Sequence, residues 1–455
     1  MQNLFDELNS LDQRCYSEFF LSEDILMEHA ANGMATYIKE HFAKNSKIVV
    51  YVGGSNNGAD GVALARLLHK EFDVFLYFVK EPKSPLAKLQ VKRAKALGVK
   101  ELSTVEPCDI VVDAIFGTGF SGELDELTST LIDELNSLRA YKIACDVPSA
   151  FRFIADTTIT MGALKKSMFL DSAKDVVGDI RVVDLGLSRD IYEKDSNWKL
   201  LDMGDFLPPI RVKNNSNKGS YGHLAVIGGK MSGAATISAK AALNFGCGLV
   251  SLLGVKSSDI EIINSKDLPK NTTAIALGMG LGDMFSVDEL KQMLTLDLPL
   301  VADADIFYKK EILEFILKKD GVVLTPHPKE FVSLLKLIGL VDIGIDELQS
   351  QRFRYVELFC EAYPKITLLL KGANIIIAKD KNYYINPHGK LNLAKGGSGD
   401  VLSGLIGSLL AQGYSDIDGA IHGSLALAKL SQDYKGANFS LTPKKLIKGI
   451  KCLTN

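Results

Sequence analysis

The sequence lacks the features that mark several large classes of protein. Its six cysteines (15, 108, 145, 247, 360 and 452) form no C-x-x-C pair, so neither a disulfide framework nor a zinc cluster is indicated, and buried reduced thiols are expected. No segment approaches the ~18 uninterrupted apolar residues that a membrane span needs. A formal net charge of −3 provides no basic footprint for nucleic acid. We therefore expect a globular protein with neither a nucleic-acid nor a membrane partner.

Targeting and common enzyme motifs are also missing. The opening "MQNLFDELNSLDQRCYSEFF" carries acidic residues early and has no basic start followed by an apolar core, so a secretory signal is not indicated and a cytoplasmic location is expected. No H-E-x-x-H occurs, and no strand is followed by G-x-G-x-x-G with an acidic residue about 20 positions later. A zinc hydrolase and a nicotinamide dehydrogenase are therefore disfavoured.

Short apolar runs alternate with amphipathic segments along the whole chain, which is typical of parallel sheets with crossover helices. With 455 residues, the chain is predicted to be α/β, with two doubly wound domains. The predicted strands are 47–53, 74–79, 109–117, 142–147, 223–229, 249–255, 273–280, 298–305, 321–328, 366–372 and 374–380.

A segment rich in Pro, Asn, Ser, Lys and Gly, "LPPIRVKNNSNKGSYG" (207–222), separates the two halves. It predicts domains at 1–206 and 217–455 with a linker at 207–216. Ligands of doubly wound sheets bind beyond the carboxyl ends of the strands, so the loops that follow the apolar runs are the candidate sites.

The most informative loop of the second half is "LAKGGSGDVLSGLIGSLLAQG" (393–413). It predicts a buried helix that begins on Gly and Ser residues and ends at Gly413. Backbone N–H groups at the start of a helix bind anions. A carboxylate at the same place, Asp400, is suited to take a proton from a hydroxyl group that is being phosphorylated. The alternative is a flexible loop in which Asp400 only caps the helix.

Two further strand ends support phosphate chemistry. "LLLKGAN" (368–374) places Lys371 and backbone N–H groups where a nucleotide phosphate could bind. "LTPHPKEF" (324–331) holds His327 between two prolines, which fix the backbone that orients this side chain.

These motifs, with "LGMGLGD" (277–283) and "GGKMSGAATISAKAALNFGCGLV" (228–250), resemble the ADP/ATP-dependent NAD(P)H-hydrate dehydratase family over residues 217–455. The resemblance implies a ribokinase-like fold that repairs NADH or NADPH hydrated on the nicotinamide ring. Phosphorylation of the ring hydroxyl, followed by loss of phosphate, would restore the coenzyme; with ADP as donor the products would be AMP and phosphate.

The resemblance also implies roles for individual residues. Asp400 would be the catalytic base in contact with the substrate, and Ser398 replaces a usual threonine while keeping a hydroxyl. For Asp303 and Asp305 in "VADAD", two roles stay open: Mg²⁺ binding and structural capping. The remaining substrate contacts would be Ala234, Gly282 and His327. The nucleotide contacts would be Lys371, Gly372, Ala373, Asn374, Ile375 and Gly399.

The first half offers a second strand–turn–helix, "YVGGSNNGADGVALARLL" (51–68), with polar Asn and Asp side chains at the start of the helix. Asp113, Asp146 and Ser149 follow later strands and should lie at the same sheet edge. Such oxygen atoms suit a hard cation, and a carboxylate near a substrate ring can move a proton. The alternative is that Asp113 and Asp146 only cap loops.

Together with "LSEDILMEHAANGMATYI" (21–38), these loops resemble the NAD(P)H-hydrate epimerase family over about residues 10–200. The resemblance implies interconversion of the R and S hydrates, with Asp146 acting at the ring. Asn57, Asp113 and Ser149 would bind K⁺. The substrate contacts would be Asn56, Asn57, Gly58, Ala59, Asp60, Gly117, Thr118, Gly119, Phe120, Ser121, Gly122 and Glu123.

This half departs from the pattern of that family at three places. Ala59 and Ala150 replace usual glycines, and the segment that follows, "FRFIADTTITMGALKK", is short. Either alanine would be strained if its φ were positive.

The prediction is therefore a bifunctional repair enzyme that uses ADP or ATP with Mg²⁺ and K⁺; the resemblance further implies a homo-oligomer. The alternative is a small-molecule kinase of the ribokinase-like group, acting on a vitamin or a sugar, with a non-catalytic N-terminal binding module.

Overall fold

Parallel strands form the centre of both halves of the protein. The computed structural model describes residues 1–120 and 122–454 and divides into an N-terminal unit, Asn3–Ser196, and a C-terminal unit, Met1–Gln2 with Asn197–Asn455. The sequence placed the end of the first domain ten residues later, at 206. The difference arises because Trp198–Leu200 pairs in register with Tyr383–Ile385, and Leu201 and Phe206 lie in the core of the C-terminal unit.

The N-terminal unit has a seven-stranded sheet, ordered β4-β3-β2-β5-β6-β7-β9, in which every pair is parallel. A further short pair, β1 with β8, is also parallel. The strands are β1 (Gln2–Phe5), β2 (Lys47–Val52), β3 (Asp73–Phe78), β4 (Lys100–Leu102), β5 (Ile110–Ala114), β6 (Tyr141–Cys145), β7 (Thr157–Met161), β8 (Leu164–Lys165) and β9 (Asp179–Val183).

Helices pack on both faces of this sheet, and each face has its own apolar core. Two neighbouring central strands, β2 and β5, are buried over nearly their whole length, as their continuous apolar sequences predict. The α-helices are α1 (Asn9–Glu18), α2 (Glu23–His41), α3 (Asn56–Leu68), α4 (Pro85–Ala96), α5 (Glu126–Ser137) and α6 (Arg189–Tyr192).

The C-terminal unit has a ten-stranded mixed sheet, ordered β13-β12-β11-β14-β15-β16-β17-β18-β19-β10. The pairs β17–β18 and β18–β19 are antiparallel and the others are parallel. The strands are β10 (Trp198–Leu200), β11 (His223–Ile227), β12 (Leu249–Leu253), β13 (Ile263–Ser265), β14 (Ala274–Leu277), β15 (Leu300–Ala302), β16 (Val322–Leu324), β17 (Thr367–Leu370), β18 (Ile375–Lys379) and β19 (Asn382–Asn386).

The helix predicted from residue 396 onward is α13, and it is buried on all sides between α7 and α14. This burial matches its apolar sequence, which has no polar face. The α-helices of the unit are α7 (Ser232–Asn244), α8 (Val287–Met293), α9 (Lys310–Ile316), α10 (Pro328–Leu337), α11 (Ile345–Ser350), α12 (Arg352–Ala362), α13 (Ser398–Ala411), α14 (Asp416–Asp433) and α15 (Pro443–Gly449).

Two doubly wound α/β units are therefore confirmed. Within the described residues, no helix combines the length and the hydropathy that crossing a membrane requires. All six cysteines are unpaired; Cys108 is partly exposed and Cys452 is exposed, contrary to the expectation of burial.

Candidate active sites

The N-terminal unit contains a cleft of about 920 Å³ at the carboxyl ends of β2, β5 and β6. Two glycines allow the backbone to pack closely next to this cleft. A Cβ on Gly53 would lie 1.8 Å from the Ile115 carbonyl oxygen, and one on Gly58 would lie 2.1 Å from the Gly53 carbonyl oxygen. The turn after β2 can therefore pass directly into α3, which carries polar side chains to the cleft.

The structure brings most of the predicted N-terminal residues to this cleft. Asn56, Asn57, Asp60 and Asp146 line it, together with residues 117–120 of the loop after β5. Gly58 and Ala59 do not: both are buried, and Ala59 packs against Met27 and Leu86. Gly122 and Glu123 are exposed and do not line it, and Ser121 lies outside the described residues.

Asp113 and Ser149 form a closed hydrogen-bonded pair beside the cleft. Both are fully buried. The Ser149 hydroxyl donates to Asp113 Oδ1 at 2.6 Å, and the Ser149 backbone N–H donates to Oδ2 at 2.8 Å. Burial raises the pKa of Asp113 to about 6, against the lowering effect of these hydrogen bonds. Close by, the side-chain Oδ1 and Nδ2 of Asn57 are buried and have no hydrogen-bond partner in the described part of the chain.

Asp146 is held by a lysine that the sequence reasoning did not select. Lys165 Nζ donates to Asp146 Oδ1 at 2.5 Å and to Thr160 Oγ1 at 2.6 Å. The lysine side chain is 3% exposed and that of Asp146 is 14% exposed. Because an ion pair this buried needs good geometry to offset desolvation, the pair fixes the Asp146 carboxylate at the wall of the cleft. Asp146 is therefore not merely a loop cap.

Two further acids complete the cleft. Asp12 accepts a hydrogen bond from the Tyr192 hydroxyl at 2.8 Å, and burial raises its pKa. The carboxyl group of Asp60 makes no hydrogen bond with any described residue, and burial followed by the charge of Asp146 raises its pKa well above the ordinary value. Sequence reasoning missed Asp12, Lys165 and Tyr192. Lys165 could have been found as a strand-end residue if the strand before it, β7, had been predicted.

The alanines that replace usual glycines differ in backbone conformation. Ala59 lies inside α3 with ordinary helical geometry and causes no strain. Ala150 has φ +51° and ψ +20°, in the left-handed region. The strain that a positive φ would bring is therefore present at Ala150 and absent at Ala59.

The C-terminal site lies at the N-terminus of α13. Gly397, with φ +90°, turns the chain into the helix, and the Ser398 hydroxyl donates to the carbonyl oxygens of Leu393 and Lys395 at 2.7 Å each. The serine thus shapes the turn with the hydroxyl that a threonine would also supply. Among the described residues, the start of α13 has no side-chain capping hydrogen bond, which gives no support to the alternative in which Asp400 only caps the helix.

The Asp400 carboxyl faces a charged pair from two parallel strands. Lys371 Nζ, after β17, lies 2.7 Å from Asp303 Oδ1, after β15. Asp303 Oδ2 also accepts from the Ser403 hydroxyl at 2.8 Å. Burial, followed by the charge of Asp303, raises the pKa of Asp400 to about 6, while Lys371 lowers it. Gly399 stands beside the pair, because a Cβ there would lie 3.5 Å from Lys371 Nζ.

His327 caps α10 and is oriented by Glu330. The Glu330 backbone N–H donates to His327 Nδ1 at 3.2 Å, and Nε2 lies 3.2 Å from Glu330 Oε1. Burial, followed by the charge of Lys371, lowers the pKa of His327. Burial raises the pKa of Glu330 to about 6. A neutral ring that accepts at Nδ1 carries its proton on Nε2, so His327 is a donor at this strand end.

The other predicted C-terminal residues belong to the same sheet edge. The Gly282 N–H donates to Asp305 Oδ2 at 2.8 Å, and a Cβ on Gly280 would lie 3.3 Å from Ala234 Cβ at the start of α7. Residues 372–374 form the turn between β17 and β18, and Ile375 begins β18. Asp303 caps the following Ala304 N–H at 2.9 Å as well as pairing with Lys371. Sequence reasoning missed the roles of Glu330 and Ser403.

Comparison with known proteins finds two family models, one within each unit. A family described as "YjeF-related protein N-terminus" matches residues 23–167, and one described as "NAD(P)H-hydrate dehydratase" matches residues 224–451. The two matches lie in the N-terminal and C-terminal units respectively.

Full-length relatives show both halves in one chain. The bifunctional NAD(P)H-hydrate repair enzyme Nnr of Helicobacter pylori is 40% identical and aligns over 100% of each chain. Its namesake from Dictyoglomus turgidum is 30% identical over 97% of this chain and 96% of its own. Among solved structures, the ADP/ATP-dependent NAD(P)H-hydrate dehydratase of Bacillus subtilis co-crystallised with ATP and Mg²⁺ is 23% identical, with a TM-score of 0.46, and covers 55% of this chain and 94% of its own.

Proposed function

The chain belongs to the family of bifunctional NAD(P)H-hydrate repair enzymes, and we propose that each of its two sites carries one step of the repair. The N-terminal cleft interconverts the R and S hydrates of NADH and NADPH. The C-terminal site dehydrates the S hydrate at the expense of an adenine nucleotide. The observation that carries this division is that each unit has its own cluster of acidic and basic side chains at the carboxyl ends of its parallel strands.

In the C-terminal site, Asp400 acts as the base on the ring hydroxyl. Its raised pKa, about 6, lies near neutrality, where a general base is most effective. The N–H groups at the start of α13, with Lys371, stabilise the phosphoryl group during transfer. Once phosphorylated, the oxygen leaves as phosphate, the neighbouring ring carbon loses a proton to solvent, and the ring regains its double bond. His327, Gly282 and Ala234 contact the hydrated nicotinamide dinucleotide.

The nucleotide is ADP or ATP, and it contacts the turn after β17. Lys371, Gly372, Ala373, Asn374 and Ile375 line it, with Gly399 beside its transferred phosphate. Mg²⁺ commonly binds through substrate phosphates and one or two carboxylates rather than an all-protein cage. This fits the described residues, which contain no cluster of three acidic, histidine or cysteine ligands. Asp303 is engaged by Lys371, Ser403 and Ala304, so the phosphates of the nucleotide would supply most of the ligands of Mg²⁺.

In the N-terminal cleft, K⁺ fits beside Asn57, Asp113 and Ser149. The fit rests on the buried Asn57 Oδ1, which lacks a partner within the described chain, and on the carboxylate of Asp113. Such an ion would supply a fixed positive charge next to the loop after β5, which holds the substrate. Asp146, fixed by Lys165, faces the ring as the proton-accepting group.

Incubation with mixed R and S hydrates of NADH, ADP and Mg²⁺ tests both steps together. Recovery of the NADH absorbance should be complete with the wild-type chain and absent with Asp400→Ala. With Asp146→Ala, recovery should become slow after about half of the hydrate is consumed. A wild-type curve that stops at half would restrict the activity to the dehydratase, and no recovery would favour a kinase acting on another alcohol.

The same family membership leads us to propose a homo-oligomer located in the cytoplasm. Light scattering coupled to size-exclusion chromatography tests the assembly state: a mass well above the 49.5 kDa of one chain is expected, and a monomer mass would contradict it.

A further inference from the structure

The cleft of the N-terminal unit contains three aspartates in different states. Asp146 is paired with Lys165, and Asp12 accepts from the Tyr192 hydroxyl. Asp60 also lines the cleft, on the second turn of α3, yet its carboxyl group makes no hydrogen bond to any residue in the described parts of the chain. A carboxyl group that is desolvated and unpaired is in a position to hold a proton rather than a charge.

Most of the charged groups that act on Asp60 favour that proton. Asp146 follows β6, Asp12 lies on α1 and Glu23 begins α2; all three act on Asp60 as negative charges, and only Lys165 of β8 opposes them. Burial has the largest effect, and the pKa of Asp60 is raised well above its ordinary value. The unpaired carboxyl group of Asp60 and the lysine-paired carboxylate of Asp146 therefore line one cleft in different environments, as an acid and a base acting on one substrate require.

The chemistry of the substrate requires such a pair. This inference rests on the epimerase function proposed above. A dihydronicotinamide is an enamine, so water adds its proton to the carbon β to the ring nitrogen and its oxygen to the carbon α to it. The hydroxyl of the hydrate therefore sits on a carbon bonded to nitrogen. Inversion of that carbon needs only the C–O bond to break and re-form.

We propose that Asp60 is the proton donor to the departing hydroxyl of the hydrate and that Asp146, positioned by Lys165, accepts the proton of the incoming water. The C–O bond breaks as Asp60 protonates the oxygen, which leaves as water, while the nitrogen lone pair forms a C=N⁺ bond. Water then adds to the other face, the electron pair returns to nitrogen, and its surplus proton passes to Asp146. Solvent in the open cleft returns that proton to Asp60, so no other reactant is consumed.

Steady-state kinetics of the full-length Asp60→Asn variant test the role of the proton. With purified R hydrate, we expect kcat of epimerisation to fall by about 10²- to 10⁴-fold, the usual contribution of general acid catalysis, with KM changed little. Dehydration of purified S hydrate with ADP and Mg²⁺ should be unchanged. The matched control is Asp133→Asn, an exposed carboxyl on α5 that pairs with Arg152 outside the cleft, and it should keep both activities.

Oxygen-18 water tests the bond that breaks and needs no variant. R hydrate is incubated with wild-type enzyme without ADP, and the S hydrate formed is analysed by mass spectrometry at early times against an enzyme-free blank. Loss and return of water predicts one solvent oxygen in each S molecule formed. Epimerisation without solvent oxygen would mean that the ring opens at the C–N bond, and it would overturn the proposal.

The pH profile completes the test if Asp60→Asn fails to fold. Wild-type kcat should decline at high pH as Asp60 loses its proton. A rise of kcat through the same range would overturn the proposal. It would also be overturned if the Asp60→Asn enzyme kept its kcat and showed only a raised KM. A wild-type chain that dehydrates S hydrate but never converts R hydrate would instead overturn the epimerase assignment itself, and the proposal with it.

Discussion

Ala150, which follows the buried Ser149, has one of the strained backbone conformations of the N-terminal unit. Its φ of +51° costs a residue with a Cβ atom roughly 1–2 kcal/mol. Replacement by glycine removes this strain but increases the freedom of the unfolded chain, which costs ~0.4–1 kcal/mol. We therefore expect Ala150→Gly to raise the free energy of unfolding by about 0.5–1 kcal/mol in urea denaturation.

Ala59→Gly is the matched control for Ala150→Gly, because both replace the same residue type within the same unit. Ala59 is a buried residue inside α3, where glycine costs about 1 kcal/mol relative to alanine. It should lower the free energy of unfolding. Changes of the same sign in both variants would contradict the conformational explanation.

Protonation of Asp400 should lower the rate of dehydration at acidic pH. A base acts only when ionised, and the pKa of this carboxyl is raised to about 6, first by burial and then by the charge of Asp303. The kcat for S hydrate should therefore fall about tenfold per pH unit below about 6 and level off above it. Asp400→Asn should lower kcat by about 10²- to 10⁴-fold and lose this dependence. A wild-type profile that is flat from pH 5 to 7 would contradict the role.

At the scale of single elements, the eleven strands predicted from apolar runs all occur in the structure. The strands that were not predicted include β7, "TTITM", and β9, "DIRVV", whose threonine or charged residues interrupt the apolar pattern. β7 is buried along its length nonetheless, because it lies between β6 and β9 in the sheet. Burial that comes from neighbouring strands rather than from hydropathy leaves no local signal.

The set of predicted strands determined which site residues were found and which were missed. Asp113, Asp146, Lys371 and His327 lie near the carboxyl ends of predicted strands, and the strand-end rule selected them. Lys165 follows β7, so it was missed with that strand. Asp12 and Tyr192 lie on helices α1 and α6 and reach the cleft only through tertiary packing, which no spacing within the sequence encodes.

The ion pair that joins β15 to β17 should stabilise the C-terminal unit and its nucleotide site together. Asp303 is 3% exposed and Lys371 is 21% exposed, and removal of one member of a buried pair costs roughly 3–5 kcal/mol. We expect Asp303→Ala to lower the free energy of unfolding by about that amount and to raise the KM for ADP.

A double-mutant cycle separates the coupling energy between Asp303 and Lys371 from the effects of removing each side chain alone. Asp303→Ala with Lys371→Ala should be less destabilising than the sum of the single changes. The reference pair is Lys230–Asp283, whose side chains are 60% and 80% exposed, and its coupling should be much weaker because solvent screens exposed charges. Additive effects at Asp303 and Lys371 would show that the pair does not act as a unit.

At the scale of the whole molecule, the linker prediction located the division between the units only approximately. Residues 207–216 do lack helices and strands, as their Pro, Asn and Gly content suggests. The chain nevertheless enters the C-terminal sheet before them, through β10. Composition identifies where the backbone is irregular, but membership of a sheet depends on a partner strand, β19, that lies nearly 200 residues away.

Separate sites on one chain predict that the two activities complement in trans. Asp400→Ala leaves the N-terminal cleft intact, and Asp146→Ala leaves the C-terminal site intact. The first variant alone should recover no NADH from a mixture of R and S hydrates, and the second alone should slow after about half. An equimolar mixture of the two should recover all of it, because the epimerised hydrate is a free molecule that any C-terminal site can bind.

The rate of recovery at limiting enzyme distinguishes free release of the hydrate from direct transfer between sites. The mixture and the wild type are compared at equal numbers of intact sites. Equal rates indicate that the hydrate is released, and a slower mixture would show that the hydrate passes within a single assembly.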